Sequence, residues 1–333
     1  MLRIWTLAAA AALALSGPAT AQNYPWKPEK PITIVVPWGA GGSTDQVVRL
    51  LGKEIEAALG QTVVIVNQPG ASGSIGTRSV LEGAKDGYMW ASGAAKDVGT
   101  YAVSGMLTTK LDDWHLFLGV INSSVIGVNA RTPYKTVDDL VKAMKAKPNG
   151  VTVATAGINS SGGAALGAFS QGTGVQARQV TYDGGNPAVI STVSGETEVT
   201  TQLAVEQAEM IRAGRIRPLA VLGTKALVLE GVPEIPAITA VIPNFPATDN
   251  YFGIFVPKGV PEPVVKTLEM IWADKIAKSE ALKKYATSRG AIVAVVSGEA
   301  AKNAVMPAVK EFAWGMWDRK EAKVSPESVG IPR

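Results

Sequence analysis

The chain has 333 residues, of which 47% are hydrophobic and 18% are charged, and its formal net charge is +4. Such a composition is typical of a folded protein with room for two domains, and it argues against disorder or low complexity. The charge is too small, and the Lys and Arg residues are too scattered, for a nucleic-acid-binding surface. The chain has no cysteine, which excludes disulfides, thiolate chemistry and lipid attachment through a cysteine.

The N-terminus has the features of a secretory signal peptide. Arg3 supplies a positive charge, residues 7–15 are apolar, and residues 19–21 read Ala-Thr-Ala, a small-residue cleavage site. We therefore expect residues 1–21 to be removed, leaving a soluble exported protein that begins at Gln22 and has no membrane anchor. An uncleaved anchor is the alternative.

A glycine-rich turn between a strand and a helix is the most informative local feature. Residues 32–36 form a β-branched run that predicts a buried parallel strand, and residues 45–59 have apolar positions at helical spacing. Residues 43–46 precede this helix and predict a capping box. The glycines between strand and helix can expose backbone N–H groups at the helix start, which predicts a binding site for a carboxylate or phosphate.

Strands and helices continue to alternate along the chain, which favours parallel sheets. Strands are predicted at residues 63–66, 88–92, 116–129 with a break at 122–124, 151–155, 175–180, 198–202, 217–222, 252–256 and 292–296. Helices are predicted at residues 77–84, 163–169, 187–193, 206–213, 263–278 and 280–289, with a short one at the polar segment 132–140. Glycine-rich turns at 67–76 and 157–163 also precede helices, and the prolines of 232–250 predict an irregular crossing segment.

Enzyme classes find little support in the sequence. Residues 39–44 resemble half of a dinucleotide fingerprint, but Thr44 stands at its third glycine position and Asn67 where a ribose-binding acid is needed. No phosphate-binding motif of the NTPase kind occurs. His115 is the only histidine and lies far from any Gly-x-Ser-x-Gly elbow, which argues against a serine hydrolase and against a metal site. We therefore predict no catalytic residue, no metal and no cofactor.

Two lobes that each present such a turn at the carboxyl ends of their strands predict a ligand cleft between them. From residue 24 to about residue 296, the chain also resembles the receptors of tripartite tricarboxylate transporters, known as Bug receptors. The resemblance rests on Tyr-Pro at 24–25, Pro-Ile at 31–32, the turn at 37–45, Asn-Gln-Pro-Gly-Ala-Ser-Gly at 67–73 followed by Gly76, and Asp-Gly-Tyr at 86–88. Weaker matches follow in the second half, at residues 156–160, 182–187, 195–198, 214–220 and 256–261.

The resemblance implies a type II periplasmic-binding-protein fold, an α/β architecture with two lobes around a cleft. Lobe 1 is expected at residues 22–125 plus 251–333, and lobe 2 at residues 126–250. The implied protein is a monomeric periplasmic receptor that binds a small organic carboxylate, with di- and tricarboxylates favoured, and delivers it to integral membrane transporter subunits. The alternative is a sensory receptor that presents an aromatic acid or acidic amino acid to a membrane signalling protein, and neighbouring genes would distinguish the two.

The resemblance also implies which residues contact the ligand. Those of the first lobe are Trp38, Ala40, Gly41, Gly42, Ser43, Thr44 and Ser92. Those of the second lobe are Gly157, Asn159, Ser160, Ser161, Tyr182, Asp183 and Glu198. The turns at 37–45 and 157–163 contain no Lys or Arg, so carboxylate binding there depends on helix starts, backbone N–H groups, hydroxyls and water.

Several residues depart from the family pattern or have two interpretations. Asp183 and Glu198 make the second lobe more acidic than expected, which favours a hydroxyl or amino group beyond the first carboxylate. The alternatives are a turn role for Asp183 and, for Glu198, a role in tying the inter-lobe strands together. Trp38 either forms a wall of the cleft or packs under its turn, and Asp45 is expected to cap its own helix.

Overall fold

The computed structural model describes residues 23–247 and 249–333, so the predicted signal peptide lies outside the described residues. In chain order the strands are β1 (Ile32–Val36), β2 (Val63–Asn67), β3 (Met89–Ala94), β4 (Trp114–Asn122), β5 (Val125–Asn129), β6 (Thr152–Thr155), β7 (Arg178–Thr181), β8 (Val199–Thr200), β9 (Ile216–Val221), β10 (Tyr251–Pro257) and β11 (Ala291–Ser297). Within this part of the chain, no helix has both the length and the apolar character needed to cross a membrane.

Ten α-helices of the described residues pack around these strands. They are α1 (Ser43–Leu59), α2 (Ser74–Leu81), α3 (Ala95–Ser104), α4 (Val137–Ala146), α5 (Ser161–Thr173), α6 (Gly185–Ser194), α7 (Ala204–Arg212), α8 (Glu262–Asp274), α9 (Glu280–Arg289) and α10 (Gly298–Asp318). Short 3₁₀ helices lie at Ala71–Gly73, Leu111–Asp113, Ile238–Ala240, Ile276–Lys278 and Glu327–Val329.

The strands form two sheets, and each sheet is the centre of one lobe. In the described residues, the six-stranded sheet has the order β11-β4-β10-β3-β1-β2, and the five-stranded sheet has the order β7-β6-β8-β5-β9. Strand β1 pairs in parallel with β2 and β3, whereas β10 runs antiparallel between β3 and β4. The chain therefore passes from the first sheet to the second after β4 and returns before β10. The predicted α/β fold with two lobes is confirmed, while the residue boundaries proposed for the lobes stay a prediction.

Most of the predicted elements are present, and the differences have physical causes. The break predicted at 122–124 separates β4 from β5, and the segment 232–250 has only one short 3₁₀ helix in its described residues. The helices α3 and α10 have no counterpart in the sequence prediction. Helix α10 contains Pro307, which removes a backbone donor and masks the helical pattern. It forms because Val305, Val309 and Ala313 bury an apolar face against lobe 1.

Trp272 fixes helix α8 on the first sheet. Its indole Nε1 donates a hydrogen bond to the carbonyl oxygen of Leu118 on β4 at 2.8 Å. Its ring centroid lies 5.2 Å from that of Phe117, and the side chain is 2% exposed. Burial of this size and a satisfied indole donor make Trp272 one of the larger contributors to the stability of lobe 1.

We expect Trp272→Ala to lower the free energy of unfolding by about 3–5 kcal/mol, because it opens a cavity and leaves the Leu118 carbonyl unpaired. Trp317→Ala is the matched control, since Trp317 is 44% exposed, and it should change the free energy by less than about 1 kcal/mol. Urea unfolding of both variants measures this. Equal losses would contradict the assigned packing.

Candidate functional site

Asp45 fixes the shape of the first glycine-rich turn. Its carboxylate accepts the backbone N–H of Gly41 at 3.0 Å, the guanidinium of Arg49 at 2.8 Å and the amide of Asn67 at 2.9 Å. The same Asn67 amide donates to the carbonyl of Trp38 at 3.1 Å. All these partners belong to lobe 1, so Asp45 holds its own turn and helix. It lies inside the first turn of α1, whose N-cap is Gly42, so the predicted capping role of Asp45 is wrong.

The start of α1 already binds a carboxylate, and it comes from the other lobe. The backbone N–H of Ser43 donates to Glu206 Oε1 at 2.9 Å, and that of Leu203 donates to Oε2 at 3.3 Å. A Cβ built on Gly185, the first residue of α6, would lie 2.1 Å from Glu206 Oε1. The N-termini of α1, α6 and α7 therefore meet at one carboxylate, where helix dipoles favour a negative charge.

This contact explains why the capping box predicted at 43–46 is wrong. The N-cap of α1 is Gly42, and no side chain from the turn caps the helix. The free N–H of Ser43 is satisfied by Glu206 instead, so a local cap is not needed.

Glu206 experiences two opposing effects on its charge. Burial raises the pKa of its carboxyl, while the N–H groups of Ser43 and Leu203 act in the opposite direction by stabilising the anion. With its amide oriented to satisfy both ends, Gln202 accepts the N–H of Ala156 at 2.6 Å and donates to Glu206 Oε2 at 3.0 Å. These donors hold the carboxylate in one position.

A buried ion pair lies beside this cluster. Lys96 Nζ is 2.6 Å from Asp97 Oδ1, and both side chains are 5% exposed. Lys96 also donates to the carbonyl of Asn159 in lobe 2 at 2.7 Å and lies 4.6 Å from the centroid of the Phe312 ring. Burial raises the pKa of Asp97, and the neighbouring Lys96 charge opposes that shift. The charges of Lys96 and Asp97 therefore compensate each other. Lys96 also connects the two lobes through its bond to Asn159.

A small cavity of about 20 Å³ lies between the lobes. Its lining includes Trp38, Thr44 and Asp97 from lobe 1 and Ser160, Ser161 and Glu206 from lobe 2. Its described lining contains two carboxylates and no Lys or Arg. The volume is about that needed by one or two water-sized groups, for which ~10–15 Å³ each is required.

A second cavity of about 70 Å³ adjoins the first, and Ser161 lines both. It is lined by Lys96 and Asn122 from lobe 1 and by Phe312 and Arg319 from α10 and the residues after it. Asn122 is fully buried, and neither polar atom of its amide makes a hydrogen bond. Unpaired buried amides are costly, which makes this cavity wall suitable for a polar group.

The structure distributes the residues that the sequence assigns to the ligand site over several places. Those lining the cavity between the lobes are Trp38, Gly42, Ser43, Thr44, Ser160 and Ser161. Those lining an outer groove at the mouth of the cleft are Gly157, Tyr182 and Asp183. Two others, Ala40 and Gly41, are exposed on the first turn.

Three assigned residues point elsewhere. Ser92 Oγ donates to the carbonyl of Val35 within the first sheet at 2.7 Å. The Asn159 side chain is buried behind the cavity, 3.5 Å from Thr100 Oγ1. Glu198 accepts a hydrogen bond from the hydroxyl of Tyr134 at 2.7 Å. Burial, and after it this contact with Glu198, raises the pKa of Tyr134 to about 12. Glu198 therefore links parts of lobe 2 and does not tie the inter-lobe strands together.

The mouth of the cleft is closed by direct contacts between the lobes. The N–H of Gly39 donates to the carbonyl of Asp183 at 2.9 Å. Gly157 has a φ of +109°, and a Cβ on it would lie 2.2 Å from Ser72 Oγ. These contacts join the two lobes directly at the mouth of the cleft.

Sequence reasoning missed Lys96, Asp97, Gln202 and Glu206. One signal was available, because the Lys-Asp pair follows β3 at its carboxyl end, where α/β folds place ligands. No local sequence signal indicates Glu206, because its partner Ser43 is 163 positions away in the sequence. In the described residues, no group of three or more His, Cys, Asp or Glu side chains is arranged to hold a metal ion.

The fold and cleft define a two-lobed receptor, and comparison with known proteins gives the family. The chain belongs to the tripartite tricarboxylate transporter receptor family, because residues 47–304 match its model. Protein BugT of Bordetella pertussis is 26% identical over 310 residues, which cover 90% of this chain and 91% of BugT. This is a family of solute-binding receptors and not of enzymes.

Solved structures show the same fold. The periplasmic binding protein BugD superposes with a TM-score of 0.81 at 24% identity, covering 89% of this chain and 99% of BugD. The Rhodopseudomonas palustris protein Rpa4515, solved with adipate, superposes with a TM-score of 0.78 at 24% identity, covering 87% of this chain and 97% of that protein.

The turn held by Asp45 should be sensitive to acid. Burial opposes ionisation, but hydrogen bonds from Arg49, Gly41 and Asn67 together hold the pKa of Asp45 below its ordinary value of 3.8. A carboxyl with a lowered pKa stabilises the fold above its unfolded pKa, and this stability is lost as the pH falls through the folded value.

Asp45→Asn should therefore be less stable than the wild type at pH 6, and the difference should shrink between pH 4 and pH 3. Urea unfolding at these pH values measures it. Asp138→Asn is the control, because Asp138 forms one exposed ion pair with Lys142 and such pairs contribute little. A difference for Asp45→Asn that does not change with pH would rule out this role.

Proposed function

We propose that this protein is a periplasmic receptor that closes its two lobes on a small organic carboxylate and delivers it to a tripartite tricarboxylate-type membrane transporter. The observation that carries the proposal is the cavity lined by both lobes at the helix starts. Ligand groups placed there would contact lobe 1 and lobe 2 at once. Family membership supports the transport role, and the adipate bound to the R. palustris relative supports the ligand class.

Closure is the proposed working step of the receptor. A ligand that contacts both lobes favours the closed state by the free energy of the contacts made only there. The open state would present separated lobes to the transporter, and the closed state would present the joined mouth at Gly39, Asp183 and Gly157. The transporter could then distinguish a loaded receptor from an empty one by shape.

Within the cavity, Thr44 is the clearest candidate for a ligand contact. It is 3% exposed and lines the cavity. Its hydroxyl has no hydrogen-bond partner among residues 23–247 and 249–333. Ser160 and Ser161 are its proposed counterparts in lobe 2, although the hydroxyl of Ser160 also caps α5 and that of Ser161 accepts from Asn250 at 2.7 Å.

The ligand class can be tested by thermal unfolding of residues 22–333 with mono-, di- and tricarboxylates, aromatic acids, amino acids and nucleotides. A ligand at about a hundredfold over its dissociation constant adds about 2.7 kcal/mol to the stability of the folded state. We expect midpoint shifts confined to carboxylate-bearing compounds. Stabilisation by nucleotides alone, or by none of the compounds, would contradict the proposal.

Thr44→Val should weaken binding of the ligand found in this way by about 2- to 10-fold, since one hydrogen bond is lost. The stability of the empty protein should not change, because the hydroxyl makes no bond within the described structure. Calorimetric titration measures the affinity. Thr62→Val, at an exposed threonine of the same lobe, is the control and should bind as the wild type does. Unchanged affinity in Thr44→Val would place the ligand outside the cavity.

Gly157→Ala should prevent full closure, because its Cβ would collide with Ser72. We expect at least 10-fold weaker binding and a larger radius of gyration at saturating ligand in small-angle X-ray scattering. Gly174→Ala is the matched control, since Gly174 also has a positive φ, of +70°, but nothing lies within 4 Å of its Cβ position. If both variants bound equally well, closure at this contact would not be required for binding.

A further inference from the structure

Glu206 joins the two lobes through one carboxylate. Its Oε2 accepts the N–H of Leu203, the N-cap of α7, at 3.3 Å, so this oxygen serves the helix start of lobe 2. Its Oε1 accepts the N–H of Ser43 at the start of α1 in lobe 1, at 2.9 Å. The local bond to Leu203 orients the side chain, so the contact across the cleft costs little further conformational entropy.

The space around Glu206 has the shape of a carboxyl group. A Cβ built on Gly185 in lobe 2 would lie 2.1 Å from Oε1 and 2.2 Å from Cδ and Oε2 of Glu206. A Cβ on Gly42, the N-cap of α1 in lobe 1, would lie 3.5 Å from Oε1. One glycine of each lobe therefore leaves room for this group, and the three helix starts around it favour a negative charge.

Donor groups of the backbone and an amide stabilise the Glu206 anion. They are the N–H groups of Ser43 and Leu203 and the side chain of Gln202. The described lining of the adjacent cavity adds a second acid, Asp97, and no Lys or Arg. Two carboxylates that share one set of donors repel each other, most strongly in a region of low dielectric. A ligand carboxylate can therefore use the N–H of Ser43 only after Glu206 has released it.

We propose that Glu206 is an internal competitor of the ligand, which holds the place of the ligand carboxylate at the start of α1. In the empty receptor its bond to Ser43 keeps a fraction of the molecules closed. The ligand takes over that N–H, and Glu206 keeps its bond to Leu203. The competition raises the apparent dissociation constant by the fraction of molecules in which Glu206 occupies Ser43. This inference rests on the proposed function and adds a regulation of its site, because Glu206 sets the concentration at which the receptor loads.

Removal of the carboxylate tests the competition without the ligand itself. Glu206→Ala leaves the N–H groups of Ser43 and Leu203 unpaired and opens a space for a small anion. Formate should raise the thermal midpoint of this variant by about 2 °C or more above the effect of chloride at equal ionic strength. The wild type should show no such difference, because Glu206 already holds the site. Differential scanning calorimetry of residues 22–333 measures both.

Asp139→Ala is the matched control for the formate experiment. Asp139 is also the third residue of a helix in lobe 2, and its carboxylate accepts the N–H of Thr136, the N-cap of α4, at 3.0 Å. Its loss should remove a helix cap of the same kind without opening a site between helices, so formate should not stabilise this variant specifically. Equal formate effects in the wild type, Glu206→Ala and Asp139→Ala, whether large or absent, would overturn the inference.

A charge-neutral variant tests the effect on the ligand, which is the carboxylate found by thermal unfolding. Glu206→Gln keeps the size of the side chain and loses its charge, so it decides the question if Glu206→Ala does not fold. Calorimetric titration should show binding tighter than that of the wild type by about 5-fold or more. Asp139→Asn should bind as the wild type does. Equal or weaker binding by Glu206→Gln would refute the competition alone, whereas the proposed function fails if no carboxylate binds to either protein.

Discussion

The hydrogen bond from the N–H of Ser43 to the Glu206 carboxylate is the interaction on which the arrangement of this protein depends. It joins a helix start in lobe 1 to a side chain in lobe 2, across the cleft. Because Gly185 leaves room only for this carboxylate, three helix N-termini share one negative charge. The start of α1, where the sequence predicts a bound ligand carboxylate, therefore holds a carboxylate of the protein. The N–H of Ser43 is already paired with it.

The rest of the fold positions this contact. Asp45 shapes the turn that presents Ser43, and the buried Lys96–Asp97 pair places a second link to lobe 2 beside it. The chain passes between the two sheets twice, after β4 and before β10. In receptors that close around a ligand, such crossing segments are where a hinge lies.

The sequence predicted the parts of this structure that local patterns determine. The alternation of strands and glycine-rich turns predicted the two α/β lobes, and it placed Trp38, residues 42–44 and residues 160–161 at one cavity. The sequence did not reveal Glu206, because a contact over 163 positions depends on how the lobes close. It attributed the acidity of the cleft to Asp183 and Glu198, whereas Asp97 and Glu206 line the cavity and Glu198 bonds to Tyr134. The sequence pattern did not predict helix α10, because this helix is stabilised by packing against lobe 1 and not by helix propensity.

The closing motion can be measured by electron–electron resonance between spin labels, one in each lobe. The chain has no native cysteine, so labels attach only at Ile75→Cys and Ile190→Cys, two exposed positions on α2 and α6. We expect a broad distribution of longer distances without ligand and a narrow, shorter distance at saturating ligand. Identical distributions in the two states, for a compound that calorimetry shows to bind, would contradict a receptor that works by closing its lobes.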